Sequence, residues 1–240
     1  MAEIRVTPSN FKKMALKLGT LNPGTIVLGS SLSDKQTRWF IKQIAETEGY
    51  YEEIKNEYGW TEMAKDLTAM DPKIFAKAVI KAKSWSFLYN YTLTEDQIMS
   101  VLWGIFEDQD SKVETLDLVD VYLGFLSPDL LSNALMNVKK VRLHYIDADQ
   151  LLALFELIIR KETCQLKEIT FLYLSNIPNT MDKGMLKVAA RKVSIRIHSL
   201  VIQDLQTILN VENKEEAWRL TRPYDYYTYK AVTDFLFPGA

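Results

Sequence analysis

The stretch that decides the fold is "VKKVRLHYI", residues 138–146, because its pattern recurs. "VETLDLVDV" at 113–121 and "LKEITFLYL" at 166–174 place apolar residues at the same intervals of three, two and three. The pair two apart reads as a strand, since alternate side chains of a strand share one face. Working outward, short apolar-x-apolar strands are expected at Ile26/Leu28, Trp60, Trp85/Phe87, Leu116/Leu118, Val141/Leu143, Ile169/Phe171 and Ile195/Ile197.

Between these strands two kinds of helix start alternate. Leu32-Ser-Asp-Lys-Gln36, Leu93-Thr-Glu-Asp-Gln97 and Ile146-Asp-Ala-Asp-Gln150 each set Ser, Thr or Asp three residues before a glutamine. That spacing suits a capping box, in which the two side chains satisfy each other's free helix N–H groups. An amphipathic pattern follows, as at Ile98, Val101, Leu102, Ile105 and Phe106. Leu200-Val-Ile-Gln-Asp204 reads as a decayed fourth copy. The other kind is Thr7-Pro8, Asp71-Pro72 and Ser127-Pro128, a cap residue before a proline that has no N–H to lose; Asp182 is a copy without the proline. From Gln36 to Asp204 is 168 residues, six repeats of 28.

A strand and a helix every 28 residues, in the L-x-x-L-x-L frame, resembles the leucine-rich repeat. Alternation of two repeat types is similar to the ribonuclease-inhibitor-like subfamily, found also in the repeat domains of intracellular innate-immune receptors. The resemblance covers residues 6 to 209 and implies an α/β solenoid: a curved arc with about seven parallel strands on the concave face and about eight helices on the convex face. It implies one domain over 1–240, with a half-repeat or cap at 1–24, repeats at 25–209 and an aromatic cap at 210–240. The family usually carries Asn or Cys three residues after the second strand leucine. Here Val121, Ile146, Leu174 and Leu200 stand there, and only Asn90 keeps the amide, so other groups must satisfy the turn. "AETEGYYEEIKNEYGWTEMA" is irregular and is expected to form a longer helix or protruding loop.

The two ends invite different readings. Thr7-Pro8 to Leu18 looks like a helix with no strand before it, so the first residues must improvise a cap or dock elsewhere. The stretch 222–240 holds Tyr224, Tyr226, Tyr227, Tyr229, Phe235 and Phe237, which suit a capping helix or a partner-binding surface.

"VRLHYIDADQL" at 141–151 is echoed by "IRIHSLVIQDL" at 195–205, and the echo contains both histidines of the chain. If Val141, Leu143, Ile195 and Ile197 fill the core, then Arg142, His144, Arg196 and His198 face away from it. Thr170 and Leu172 lie on the strand between, and Asp117 and Val119 on the strand before. The two Arg-x-His units are then roughly 10 Å apart, too far to share a metal. Two readings stay open: a strip that grips an acidic or aromatic partner segment, for which the arginine fork is suited, or surface residues copied when the repeat duplicated. In the first reading, histidine protonation strengthens binding at mildly acidic pH.

Composition narrows the function. With 48% hydrophobic and 25% charged residues the chain can build a core, and its net charge of −2 gives no general attraction to nucleic acid or anionic membrane. No run of 18 apolar residues and no signal core occurs, and one cysteine excludes an internal disulfide framework, so a cytoplasmic setting is expected. The phosphate-loop, dinucleotide and nucleophile-elbow motifs are missing, and nine glycines leave little for cradling phosphates. Cys164, the acidic run 107–110 and the basic run 187–196 read as ordinary parts of repeats. No enzyme, cofactor or metal site is expected. The expected function is non-enzymatic binding of a protein partner by a monomer, as an inhibitor, adaptor or sensor. The alternatives are a structural subunit docking through its ends, or the repeat part of a longer receptor.

Overall fold

The computed structural model describes residues 2–20, 24–57, 65–85, 91–118, 123–143, 146–161, 164–171, 174–175, 188–189, 192–193 and 199–202. The chain is α/β, its main strands are all parallel, and it divides into two compact units, Met1–Asp117 and Leu118–Ala240.

In the first unit the sheet strands are β1 (Ala2–Val6), β2 (Gly24–Leu28), β3 (Tyr51–Asn56), β5 (Ala82–Trp85) and β7 (Thr115–Leu118), neighbours in that order. Two-residue strands β4 (Lys65–Asp66) and β6 (Tyr91–Thr92) pair separately. Helices α1 (Phe11–Ala15), α2 (Asp34–Glu46), α3 (Pro72–Val79) and α4 (Glu95–Glu107) connect them. The second unit runs α5 (Pro128–Leu135), β8 (Lys140–Leu143), β9 (Ile146–Asp147), α6 (Ala148–Arg160), β10 (Glu168–Phe171), β11 (Leu174–Ser175) and β12 (Ser199–Ile202). Its sheet order is β8-β10-β12, and β9 pairs with β11.

The repeat frame is visible as burial. Ile4, Ile26, Ile54 and Trp85 lie side by side in register, all buried. The three-two spacing buries Val113, Leu116 and Leu118, then Val138, Val141 and Leu143, then Leu166 and Ile169. The two helix starts also hold. α2, α4 and α6 are each 13 residues and carry complete capping boxes at Ser33/Gln36, Thr94/Gln97 and Asp147/Gln150. α3 and α5 are each 8 residues and open with proline behind Asp71 and Ser127, whose side chains accept first-turn N–H groups. α4 buries Ile98, Val101, Leu102 and Ile105, one stripe of a 3.6-residue period, each worth about 1.5–3 kcal/mol in removed apolar surface.

The turn groups left without the family amide find another donor. Gln97 is fully buried, and its Nε2 donates to the carbonyls of Leu67 and Met70, both at 2.8 Å. Gln150 does the same to Leu123 and Leu126, at 2.8 and 2.9 Å. Each capping glutamine thus closes its own helix start and, 24 to 30 residues back, the turn before the preceding short helix.

Four expectations are corrected. A strand does precede the first helix: β1 pairs along its whole length with β2. Helix α1 begins at Phe11 rather than Pro8, because the Asn10 side chain accepts from Thr7 N–H and holds residues 7–10 as a turn. Residues 45–57 do not extend the helix. α2 stops at Glu46, Gly49 turns the chain at φ 107°, a conformation open to glycine, and β3 runs from Tyr51 with Ile54 fully buried. Trp60 and Phe87 lie outside the described residues. Ile195 and Ile197 lie outside the described residues; the strand that pairs with β10 is Ser199–Ile202, so Leu200 shares a row with Ile169 and Val141. With β1 included, eight strands form the main pairings where about seven were expected, and six α-helices are present among the described residues where about eight were expected.

Candidate protein-binding surface

Because the strand frame buries every second residue, the intervening residues form the opposite face of the sheet. In the second unit, β8 and β10 place Lys140 beside Glu168 and Arg142 beside Thr170. The first pair is an ion pair at 2.9 Å; Arg142 is exposed and Thr170 half-exposed. Glutamate here takes up the lysine, and the guanidinium stands in solvent range at the row's other step.

In the first unit, the sheet face opposite Ile4, Ile26 and Ile54 carries a charge network. Lys55 Nζ lies 3.6 Å from both Glu3 and Glu53, and Arg5 pairs with Glu57. Two residues before Ile54 and Trp85, and so on their side of the sheet, Lys83 Nζ lies 2.8 Å from Glu52. Lys83 also sits 5.8 Å above the Tyr50 ring, and the hydrogen bond it donates to Glu52 raises its pKa. Val27, between Arg5 and Lys55 in the row, is only 3% exposed, as expected where long charged side chains lay their stems across it. Asp117 is half-exposed between the buried Leu116 and Leu118 of β7.

Of the residues expected on the strip, Arg142 and Thr170 are brought together, and Asp117 has the expected orientation in its own strand. His144, Leu172, Val119, Arg196 and His198 lie outside the described residues, as do the C-terminal aromatics. Among the described residues, the row of Arg142 and Thr170 continues to Val201, five residues on from the position that the sequence echo aligns with Arg142. An odd offset exchanges the two faces of a strand, so the sequence echo and the sheet register are different alignments. The residues missed were Glu3, Arg5, Glu53 and Lys55. Their signal was the alternation itself, hidden where β1 and β3 were not recognised as strands.

Elsewhere the structure explains its polar groups by local needs. A cleft of about 320 Å³ is lined by Tyr50, Lys77, Lys81, Lys112, Asp108 and Asp110 among others. Lys81 there donates to the carbonyls of Ile44, Ala45 and Thr47, capping the negative end of α2. Burial and then the nearby Lys77 ammonium lower its pKa, against the pull of Glu48. Cys164 is half-buried with its Sγ 3.4 Å from the Met136 sulfur. Among the described residues no cluster of His, Cys, Asp and Glu could hold a metal, and no helix is long and apolar enough to cross a membrane. Comparison with protein-family models, with curated proteins and with solved structures finds no match.

Proposed function

We propose that this chain is a protein-interaction module of the leucine-rich repeat kind, without catalytic activity, which grips a partner segment on the uncovered face of its sheet. The architecture belongs to the same reading: an α/β solenoid with its strands on the concave side and its helices on the convex side. The observation that carries it is the strand frame of β8 and β10. It fills one face with Val141, Leu143 and Ile169 and leaves Lys140, Arg142, Glu168 and Thr170 on the other. A rigid parallel sheet presents such groups already ordered, which lowers the cost of binding.

In this reading Arg142 supplies a bidentate fork for an acidic partner side chain and Thr170 a hydroxyl beside it, with His144, Leu172, Asp117 and Val119 extending the strip. Arg196 and His198 belong to the same reading and lie outside the described residues. The single cysteine and the position of the reading within an intracellular family suit a cytoplasmic setting. A second reading, a subunit docking through its ends, is supported by β1, which among the described residues pairs with β2 alone. The test is affinity capture with the native chain and with Arg142→Glu, both confirmed folded. Loss of a captured protein on charge reversal supports the sheet face; an unchanged set of captured proteins refutes Arg142 as the grip.

A further inference from the structure

We infer that β1 is a self-complementary edge through which two copies of this chain join their sheets. β1 pairs with β2 on one side and, among the described residues, with no strand on the other. The direction of its peptide groups follows from two contacts. The Val6 carbonyl accepts from Gly29 N–H at 2.8 Å and so faces β2, whereas the Arg5 carbonyl accepts from the Asn10 side-chain amide at 3.1 Å. Successive residues of a strand turn their N–H and C=O groups to opposite sides. Glu3 and Arg5 therefore offer theirs outward, and Ile4 and Val6 inward.

Now set a second β1 antiparallel, with Ile4 facing Ile4. Glu3 of one copy stands opposite Arg5 of the other, twice, by the two-fold axis. These are the outward-facing residues, so each pair can exchange two backbone hydrogen bonds once the Arg5 carbonyl gives up or shares the Asn10 amide, and it places a carboxylate directly across from a guanidinium. Charged residues on an edge strand ordinarily discourage such pairing. Here the signs decide otherwise, and they also set the register. A slip of two residues in one direction brings Arg5 against Arg5, and in the other Glu3 against Glu3, both unfavourable across a strand pair. Within each chain Arg5 also reaches Glu57 and Glu3 reaches Lys55, yet the Arg5 and Glu3 side chains keep 58% and 49% of their surface open.

The occupant is a second copy because the charge pattern of "AEIRV" is its own complement when reversed. A joint of five residues a side is small, and small interfaces are weak and transient. Association should thus appear on raising concentration.

The experiment is sedimentation equilibrium of the full chain from about 5 to about 500 µM, a range chosen for a weak interface. The average mass should climb from 27.7 kDa toward twice that value. Glu3→Arg or Arg5→Glu alone should weaken self-association about tenfold or more. An equimolar mixture of these two single variants should restore it, because opposite signs then meet at both pairs. Circular dichroism confirms that each variant is folded. The double variant Glu3→Arg/Arg5→Glu gives a second route: it restores the edge pairs while setting like charges against Lys55 and Glu57 inside the chain. A mass that stays at the single-chain value overturns the inference. So does self-association that ignores Glu3→Arg, or a mixture that fails to recover it; either outcome points to another strand or surface as the joint.

Discussion

Replacing Gln97 by alanine should be among the most damaging polar substitutions in the first unit. The side chain is fully buried and makes three hydrogen bonds, donating to Leu67 and Met70 and accepting from Thr94 N–H at 2.9 Å. Each such bond contributes about 1 kcal/mol net, and each buried group left unpaired costs about 1–3 kcal/mol, so a loss of about 3 kcal/mol is expected. Gln36 is the internal control. It makes the same capping box with Ser33 but is only half-buried, and no bond from it to an earlier repeat is seen. Gln36→Ala should cost about 0.5–1 kcal/mol, an ordinary cap loss. In urea, with a slope of about 2 kcal/mol per molar, Gln97→Ala should lower the midpoint by about 1.5 M. Gln97→Glu adds a sign test. A carboxylate has no hydrogen to give two carbonyls, so its folded-state pKa is raised, and stability regained on protonation is lost again as pH rises through that value. The variant should be more stable at pH 5 than at pH 7, relative to the native chain. Equal midpoints for Gln97→Ala and Gln36→Ala would refute the idea that the glutamine joins one repeat to the next.

Three further outcomes are expected. The Tyr51 hydroxyl is buried with no hydrogen-bond partner among the described residues, and burial pushes its pKa up to about 12, so the unfolded chain releases this proton first and stability falls as pH rises above 10. Tyr51→Phe should remove one proton from that alkaline slope and leave the neutral-pH stability equal or higher, measured by urea melts from pH 8 to 11. A Cβ on Gly29 would stand 2.6 Å from the Val6 carbonyl oxygen, so Gly29→Ala should cost about 1–3 kcal/mol, whereas Gly19→Ala, whose Cβ meets nothing nearer than 3.8 Å, should stay within about 0.5 kcal/mol. Lys81→Met removes three carbonyl contacts at the end of α2 and should cost about 1.5–3 kcal/mol by thermal melting, with Lys77→Met close to neutral.

The sequence disclosed those parts of the fold where two signals coincide. At Thr94 and Asp147 a cap residue, a glutamine three later and an amphipathic stripe all point to one helix start, and the structure has it. β3 was hidden for a physical reason. Its buried residues Tyr51 and Ile54 are three apart, which is also the helical interval, and the next core position holds the polar Asn56. "SIRIHSLVI" offers two overlapping alternations, and the later one, Ser199–Ile202, pairs with β10. The face opposite the core was legible at Arg142 and Thr170, where the flanking core residues follow the three-two spacing. The Glu3–Lys55–Glu53 network was not, since it requires knowing which strands are neighbours. The glutamine bridges to Leu67 and Leu123 were beyond the pattern for the same reason: a capping box announces its own helix, not the turn one repeat earlier.

The claim on which the account turns is that a protein partner lies across the sheet face carrying Arg142 and Thr170. A photo-reactive amino acid placed at position 170, on that face, tests it most directly when compared with one at Trp103, which is 44% exposed on α4. The account predicts that a captured protein becomes covalently joined through position 170 and not through position 103. Cross-linking through 103 alone would place the partner on the helices and contradict it.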